Sequence, residues 1–150
     1  FERLWCPDEA KAAGLAFTPR QFSLSTNVRA RTLRGLHWQA EPYGEAKLVS
    51  AASGCLFDVA VDIRADSPSF RQWFGIELAA GSGVSLFIPP GFAHGFLTLA
   101  PDTGVVYAID ASYRADAARG VRYDDPAFAI PWPTEPDVIS DRDLAFAPFH

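Results

Sequence analysis

The sequence predicts an all-β fold, and three observations carry that prediction. Short runs rich in β-branched and aromatic residues recur along most of the chain. Clusters of Gly, Pro, Ser and Asp separate them at close intervals. Helical character is confined to one stretch near the start. Many short strands with frequent turn signals describe an antiparallel sandwich or barrel rather than alternating β–α units.

The helical stretch is Asp8 to Ala16, with Asp8 as its candidate cap and Gly14 as its stop. Strands are expected near residues 22–28, 31–39, 46–53, 55–63, 72–78, 84–88, 93–99 and 104–111. The clearest runs from Cys55 to Ile63: Phe57, Val59, Val61 and Ile63 alternate onto one face, and Asp58 and Asp62 share the other. Ser53-Gly54 and Ile88-Pro89-Pro90-Gly91 are turn chemistry, and Gly81-Ser82-Gly83 reads as a hairpin turn. From Ala127 the chain becomes proline-rich and ends through Ser140-Asp141-Arg142-Asp143, a tail expected to wrap, extended, over the barrel. With no internal repeat, residues 1–150 are expected to form one domain.

Composition narrows the function classes. Hydrophobic residues make up 49% and charged ones 21% of the 150, an ordinary globular balance. A net charge of −5 opposes a sequence-blind grip on nucleic acid, which needs a basic face. No apolar run approaches the ~18–20 residues of a membrane helix. Cys6 and Cys55 are too few for a disulfide framework, so a reducing cytoplasm is the expected compartment. The chain opens at Phe1 and contains no Met, so a native N-terminal segment is expected to precede it.

The chain has three histidines: His37, His94 and the terminal His150. Trp38 and Gln39 follow His37, so there is no His-x-His pair, and His94 has no neighbouring second ligand. No metal site is therefore expected. There is no Gly-x-Ser-x-Gly elbow and no Gly-rich loop opening a helix. Lys47, between apolar neighbours, is either snorkelling at an edge or placed inside a pocket. Tyr107 is as compatible with plain core as with a site. On pattern alone the function stays open here.

The run Thr32-Leu33-Arg34-Gly35-Leu36-His37-Trp38-Gln39 resembles a signature of the dTDP-4-dehydrorhamnose 3,5-epimerase family. Further blocks follow in the family's order: Lys47-Leu48-Val49, Phe57 to Arg64, Ser67-Pro68, then Ile88 to Phe96. Tyr107, Asp124-Asp125-Pro126 and Ser140 to Asp143 complete the set. The resemblance covers nearly the whole chain, with the family's opening β-segment absent before Phe1. It implies an antiparallel double-stranded β-helix, the cupin-like jelly roll, with minor short helices. It also implies a homodimer and epimerisation of a nucleotide-linked 4-keto sugar without cofactor. By resemblance, His37 is the base, Asp143 its carboxylate, Tyr107 the acid on the opposite face and Lys47 the cation near the keto oxygen. Arg34, His94, Tyr113, Gln39 and Asn27 are the expected substrate contacts.

The sequence departs from the family where Glu45 stands for the usual Gln, Ala108 for Lys, Ala118 and Arg3 for Glu, and Ser112-Tyr113 for a Tyr pair. Alternatives that share the fold are a mono-epimerase, a ketoisomerase on another nucleotide 4-keto sugar, and a non-catalytic sugar-nucleotide-binding module. Arg29, Arg31, Arg34, Arg64 and Arg71 are candidate diphosphate partners, Trp38 and Tyr113 candidate base-stacking residues, and Trp73 and Phe74 candidate dimer contacts. One geometric requirement follows from strand alternation. Arg34 and His37 can share a face only if Gly35 marks a bulge or twist.

Overall fold

The computed structural model describes residues 1–150. A short helix, α1 (Pro7–Ala12), precedes nine strands, and a single helical turn, α2 (Asp141–Leu144), follows them. The strands are β1 (Gln21–Asn27), β2 (Leu33–Gln39), β3 (Lys47–Ser53), β4 (Cys55–Asp62), β5 (Trp73–Ala79), β6 (Ser85–Ile88), β7 (Phe92–Thr98), β8 (Thr103–Ile109) and β9 (Ala118–Gly120). They form a four-stranded sheet ordered β1-β8-β3-β6 and a five-stranded sheet ordered β5-β4-β7-β2-β9, with every pairing antiparallel. Only β4 and β5 are both consecutive in sequence and paired; elsewhere the chain crosses from one sheet to the other. This is the jelly-roll pattern.

The apolar core lies between the sheets. Val49, Ala51, Ile88 and Val105 of the four-stranded sheet meet Leu56, Ala60, Leu78 and Phe96 of the other. Chain outside the strands packs on the outer faces. Phe17, with Trp5 and Leu15, packs on Ala108 and Leu48 of the four-stranded sheet. The proline-rich tail brings Phe128, Ile130, Trp132 and Phe149 onto Leu36, Val59, Val61 and Ala93 of the five-stranded sheet. The face of β4 that carries Phe57, Val59 and Val61 therefore lies under the tail, while Asp58 and Asp62, both fully buried, share the other face with Leu56 and Ala60.

Several expectations need correction. Helix α1 starts one residue early and ends at Ala12, because Pro7 suits a first helical turn. Cys6, not Asp8, is its N-cap, and Gly14 follows with φ +74°. Gly81-Ser82-Gly83 does not close a hairpin; β5 and β6 lie in different sheets, so this turn is a crossover. Arg31, at φ +58°, delays β2 until Leu33. Strand β9 went unpredicted because three residues carry no readable period. The tail is not wholly extended either. At Ser140 it turns into α2, since the Ser140 hydroxyl accepts the Asp143 N–H at 3.0 Å and so caps the turn.

Candidate active site

Between the sheets the apolar core gives way to polar side chains toward one end of the strands. Along the inner face of the four-stranded sheet, Val105 and Ala51 give way to Tyr107 and Val49, then to the row Gln21, Ile109 and Lys47. From the opposite sheet β2 contributes Arg34 and His37, and β7 contributes His94 and Phe96. Glu45 and Tyr113, from the flanking loops, complete a pocket of ≈180 Å³.

The predicted irregularity at Gly35 is present. The β2–β7 register shifts between Arg34 and His37, and Gly35 sits at φ +117°. A Cβ at Gly35 would stand 2.6 Å from Gly95 Cα and 2.7 Å from the His94 carbonyl, so no larger residue fits. The shift lets Arg34 and His37 line the same pocket.

His37 Nε2 lies 2.7 Å from Asp143 Oδ1, and Asp143 Oδ2 accepts the Gly35 N–H at 3.2 Å. Burial pushes the Asp143 carboxyl upward, but hydrogen bonds and charge from His37, with the Gly35 and Ser140 contacts, bring it below the ordinary carboxylate range. An ionised carboxylate only accepts, so His37 carries its hydrogen on Nε2 and leaves Nδ1 as a lone pair. Phe146, just after α2, packs edge-on against the His37 ring at 5.8 Å.

The second histidine is organised in the same way. His94 Nε2 lies 2.7 Å from Oδ1 of the fully buried Asp58, whose Oδ2 has no partner. The Tyr107 ring stands edge-on to His94 at 5.8 Å. Burial and then the Asp58 charge push the Tyr107 phenol far above its ordinary range, with Arg34 opposing them, so it stays protonated. Lys47 is buried, and its Nζ pairs with Glu45 Oε1 at 2.8 Å. No three His, Cys, Asp or Glu side chains are arranged to hold a metal ion.

Of the nine singled-out side chains, His37, Tyr107, Lys47, Arg34, His94 and Tyr113 line the pocket, and Asp143 stands behind His37. The other two do not reach it. Gln39 is buried and fully engaged: its amide nitrogen donates to the Tyr43 and Ser112 carbonyls, and its oxygen accepts the Arg114 N–H at 2.6 Å. Asn27 orients Arg34, accepting from its Nε at 2.7 Å, and lines with it and Arg29 the neighbouring cavity. Trp38 packs in the cluster beneath the tail. Gln21, Asp58 and Phe146 were missed; only Asp58 carried a signal, as a carboxylate on the polar face of an apolar strand.

The family model described as dTDP-4-dehydrorhamnose 3,5-epimerase matches residues 1–150. The dTDP-4-dehydrorhamnose 3,5-epimerase of Sinorhizobium fredii is 42% identical over 144 residues, covering 95% of this chain and 72% of that protein. The chain belongs to the dTDP-4-dehydrorhamnose 3,5-epimerase family. The Shigella flexneri member is 41% identical over 137 residues, covering 91% of this chain and 74% of its own. Among solved structures, the family member from Bacillus anthracis with TDP and pyrophosphate bound superimposes with a TM-score of 0.95 at 40% identity, over 99% of this chain and 85% of that one. A 3,5-epimerase from Legionella pneumophila in complex with dTDP-4-keto-L-rhamnose gives 0.91 at 35%, over 97% and 78%.

Set against the family pattern, most departures lie away from the pocket. Ala108 is buried under Phe17 on the outer face, Arg3 pairs with Glu9 at the surface, and Ala118 pairs in register with Gln39. Glu45 and the Ser112-Tyr113 pair are the departures at its rim.

Proposed function

We propose that this chain epimerises a dTDP-linked 4-keto-6-deoxy sugar at the carbons flanking the ketone. The observation that carries the reading is a base and an acid facing one pocket from opposite sheets, His37 on β2 and Tyr107 on β8. A C–H beside a ketone is a weak acid, so abstraction needs a free lone pair and a stabilised enolate. His37 Nδ1 takes the proton, and Asp143 behind Nε2 supports the imidazolium that forms. Lys47 supplies positive charge to the oxygen as the enolate develops. Tyr107, still protonated at neutral pH, returns a proton to the other face, and the carbon inverts.

Arg34 and Arg29 line a second cavity of ≈290 Å³ that shares Arg34 with the first. Arg31 is paired with Asp137 and Arg64 with Asp62, while Arg71 stacks on Phe70 and Phe149, which leaves Arg29 and Arg34 for the diphosphate. Tyr113, with 60% of its surface exposed at the pocket rim, is the aromatic side chain available to a base or sugar. A homodimer belongs to the same proposal. Of the four edge strands, β1, with Phe22 and Leu24 exposed, and β5, with Phe74 exposed, offer apolar side chains to a second copy.

The test is deuterium uptake from D₂O into dTDP-4-keto-6-deoxyglucose, followed by NMR at each carbon beside the ketone. Wild-type protein incorporates deuterium and inverts the centres. His37→Ala slows uptake at least ~100-fold, and Tyr107→Phe loses inverted product more than it loses exchange. Wild-type protein without uptake sinks the reading, and undiminished uptake in His37→Ala removes His37 as the base.

A further inference from the structure

Every basic side chain that lines the pocket has a partner. His37 has Asp143, His94 has Asp58, Arg34 has Asn27 and Lys47 has Glu45. The fourth pair differs from the others in one respect. Asp143, Asp58 and Asn27 stand behind the groups they hold, whereas Glu45 is itself a wall of the pocket and the only carboxylate there.

The pair is well anchored. Side-chain exposure is 9% for Lys47 and 11% for Glu45. The intervening Ala46 is 2% exposed and packs with Phe17 and Ala108, and its N–H donates to Asp110 Oδ1 at 2.7 Å. Lys47 itself is in register with Ile109, next to that aspartate. Backbone on both sides of the pair is therefore fixed, and the Glu45 carboxylate is the one side-chain partner of Lys47 Nζ.

A lysine stem has four rotatable bonds, and ordering it has an entropic cost. A buried ammonium without a counter-charge is also unfavourable. One Glu45 contact offsets both. It occupies one of three N–H donors and leaves the others for an incoming oxygen.

We propose that Glu45 is a positioning residue for Lys47, holding its ammonium at the pocket wall until the enolate oxygen takes it over. The proposal rests on the epimerase chemistry above. In the step it serves, the C–H electron pair enters the enolate, the proton goes to His37 Nδ1, and the new charge settles on oxygen. Lys47 keeps its three hydrogens and shifts its strongest contact from one oxyanion to another.

The experiment measures kcat and KM for deuterium uptake into dTDP-4-keto-6-deoxyglucose by the full chain. The proteins are wild type, Glu45→Ala, Glu45→Gln, Lys47→Ala and the Glu45→Ala/Lys47→Ala double variant. Glu45→Ala lowers kcat about tenfold and moves KM less than about threefold, the mark of an interaction used after binding. Glu45→Gln, which keeps an acceptor oxygen, returns kcat to within about threefold of wild type. The double variant is no slower than Lys47→Ala, because the two residues act as one unit. Wild-type kcat in Glu45→Ala, losses that multiply in the double variant, or a Gln variant as slow as Ala would each overturn the assignment. Each variant is checked by thermal melting; should Glu45→Ala not fold, Glu45→Met fills the same space without an acceptor and replaces it in the cycle. Wild-type protein without uptake overturns the epimerase reading and this inference together, whereas normal wild-type uptake with an inert Glu45 overturns this inference alone.

Discussion

At the residue scale, a histidine takes its meaning from what lies behind it. His37 on a strand is unremarkable by pattern; the carboxylate that gives it a tautomer is 106 positions away in sequence. Asp143→Asn replaces an acceptor with a side chain that can donate, and so favours the wrong tautomer. Its kcat for deuterium uptake is expected to fall by ~10²–10⁴. The same carboxylate ties stability to pH. Its folded value lies below the usual range, so its contribution is complete at neutral pH and fades as pH falls through that value. Melting-temperature gaps between wild type and Asp143→Asn should hold steady near neutrality and close below about pH 4. A gap that widens in acid would contradict the pairing. Residues adjacent in sequence to those lining the pocket were harder to sort. Gln39, two positions after His37, looked like a substrate contact, but three hydrogen bonds bind it to Tyr43, Ser112 and Arg114. Hydrogen bonds between distant segments leave no local trace, so neither the contacts that hold Gln39 nor the Asn27–Arg34 contact could be read beforehand.

At the scale of elements, alternation did most of the predictive work. Eight of the nine strands were legible because each is long enough to show a period or a bounded apolar run. The bulge in β2 was legible for a different reason: two side chains three positions apart had to share a face, and of the two residues between them Gly35 is the one free to break the register. Gly35→Ala is expected to destabilise by at least ~1–3 kcal/mol from backbone conformation alone, before the overlap with Gly95 and His94 is relieved. Its denaturant midpoint should drop with the m-value unchanged, and an unaltered midpoint would show that the kink has no structural role. Strand β9 and helix α2 escaped notice because three or four residues cannot establish periodicity. The Ser140 cap and its partner Asp143 form a one-turn signature that is visible in the sequence once the strap is known to bend there.

Across the whole molecule, a sheet of this kind needs cover on both faces, and the chain supplies it from its two ends. Residues before β1 pack on the four-stranded sheet and residues after β9 on the five-stranded one. The class of fold was therefore readable from strand count and turns, whereas the layering was not, because proline-rich segments have no period to announce which surface they occupy. Phe128→Ala removes a ring that is 4% exposed in the tail cluster. A loss of about 3–5 kcal/mol is expected, seen as a melting-temperature drop on the order of 10 °C. The pocket lies on the other face of that sheet, so KM for the sugar nucleotide should stay at its wild-type value in the folded protein. A large KM change with an unchanged melting temperature would mean that the tail shapes the pocket rather than the stability.

The order in which the chain supplies its site has one more result. Arg34, His37, Lys47, His94 and Tyr107 are all in place by residue 109, yet His37 lacks its carboxylate until α2 closes over Gly35. A chain ending just before Ser140 would keep all of these pocket residues and most of the tail cluster but lose Asp143, so it is expected to lose deuterium exchange more than affinity for a sugar nucleotide. If Asp143 serves His37 as proposed, activity doubles as a certificate that the chain has been made and folded through α2.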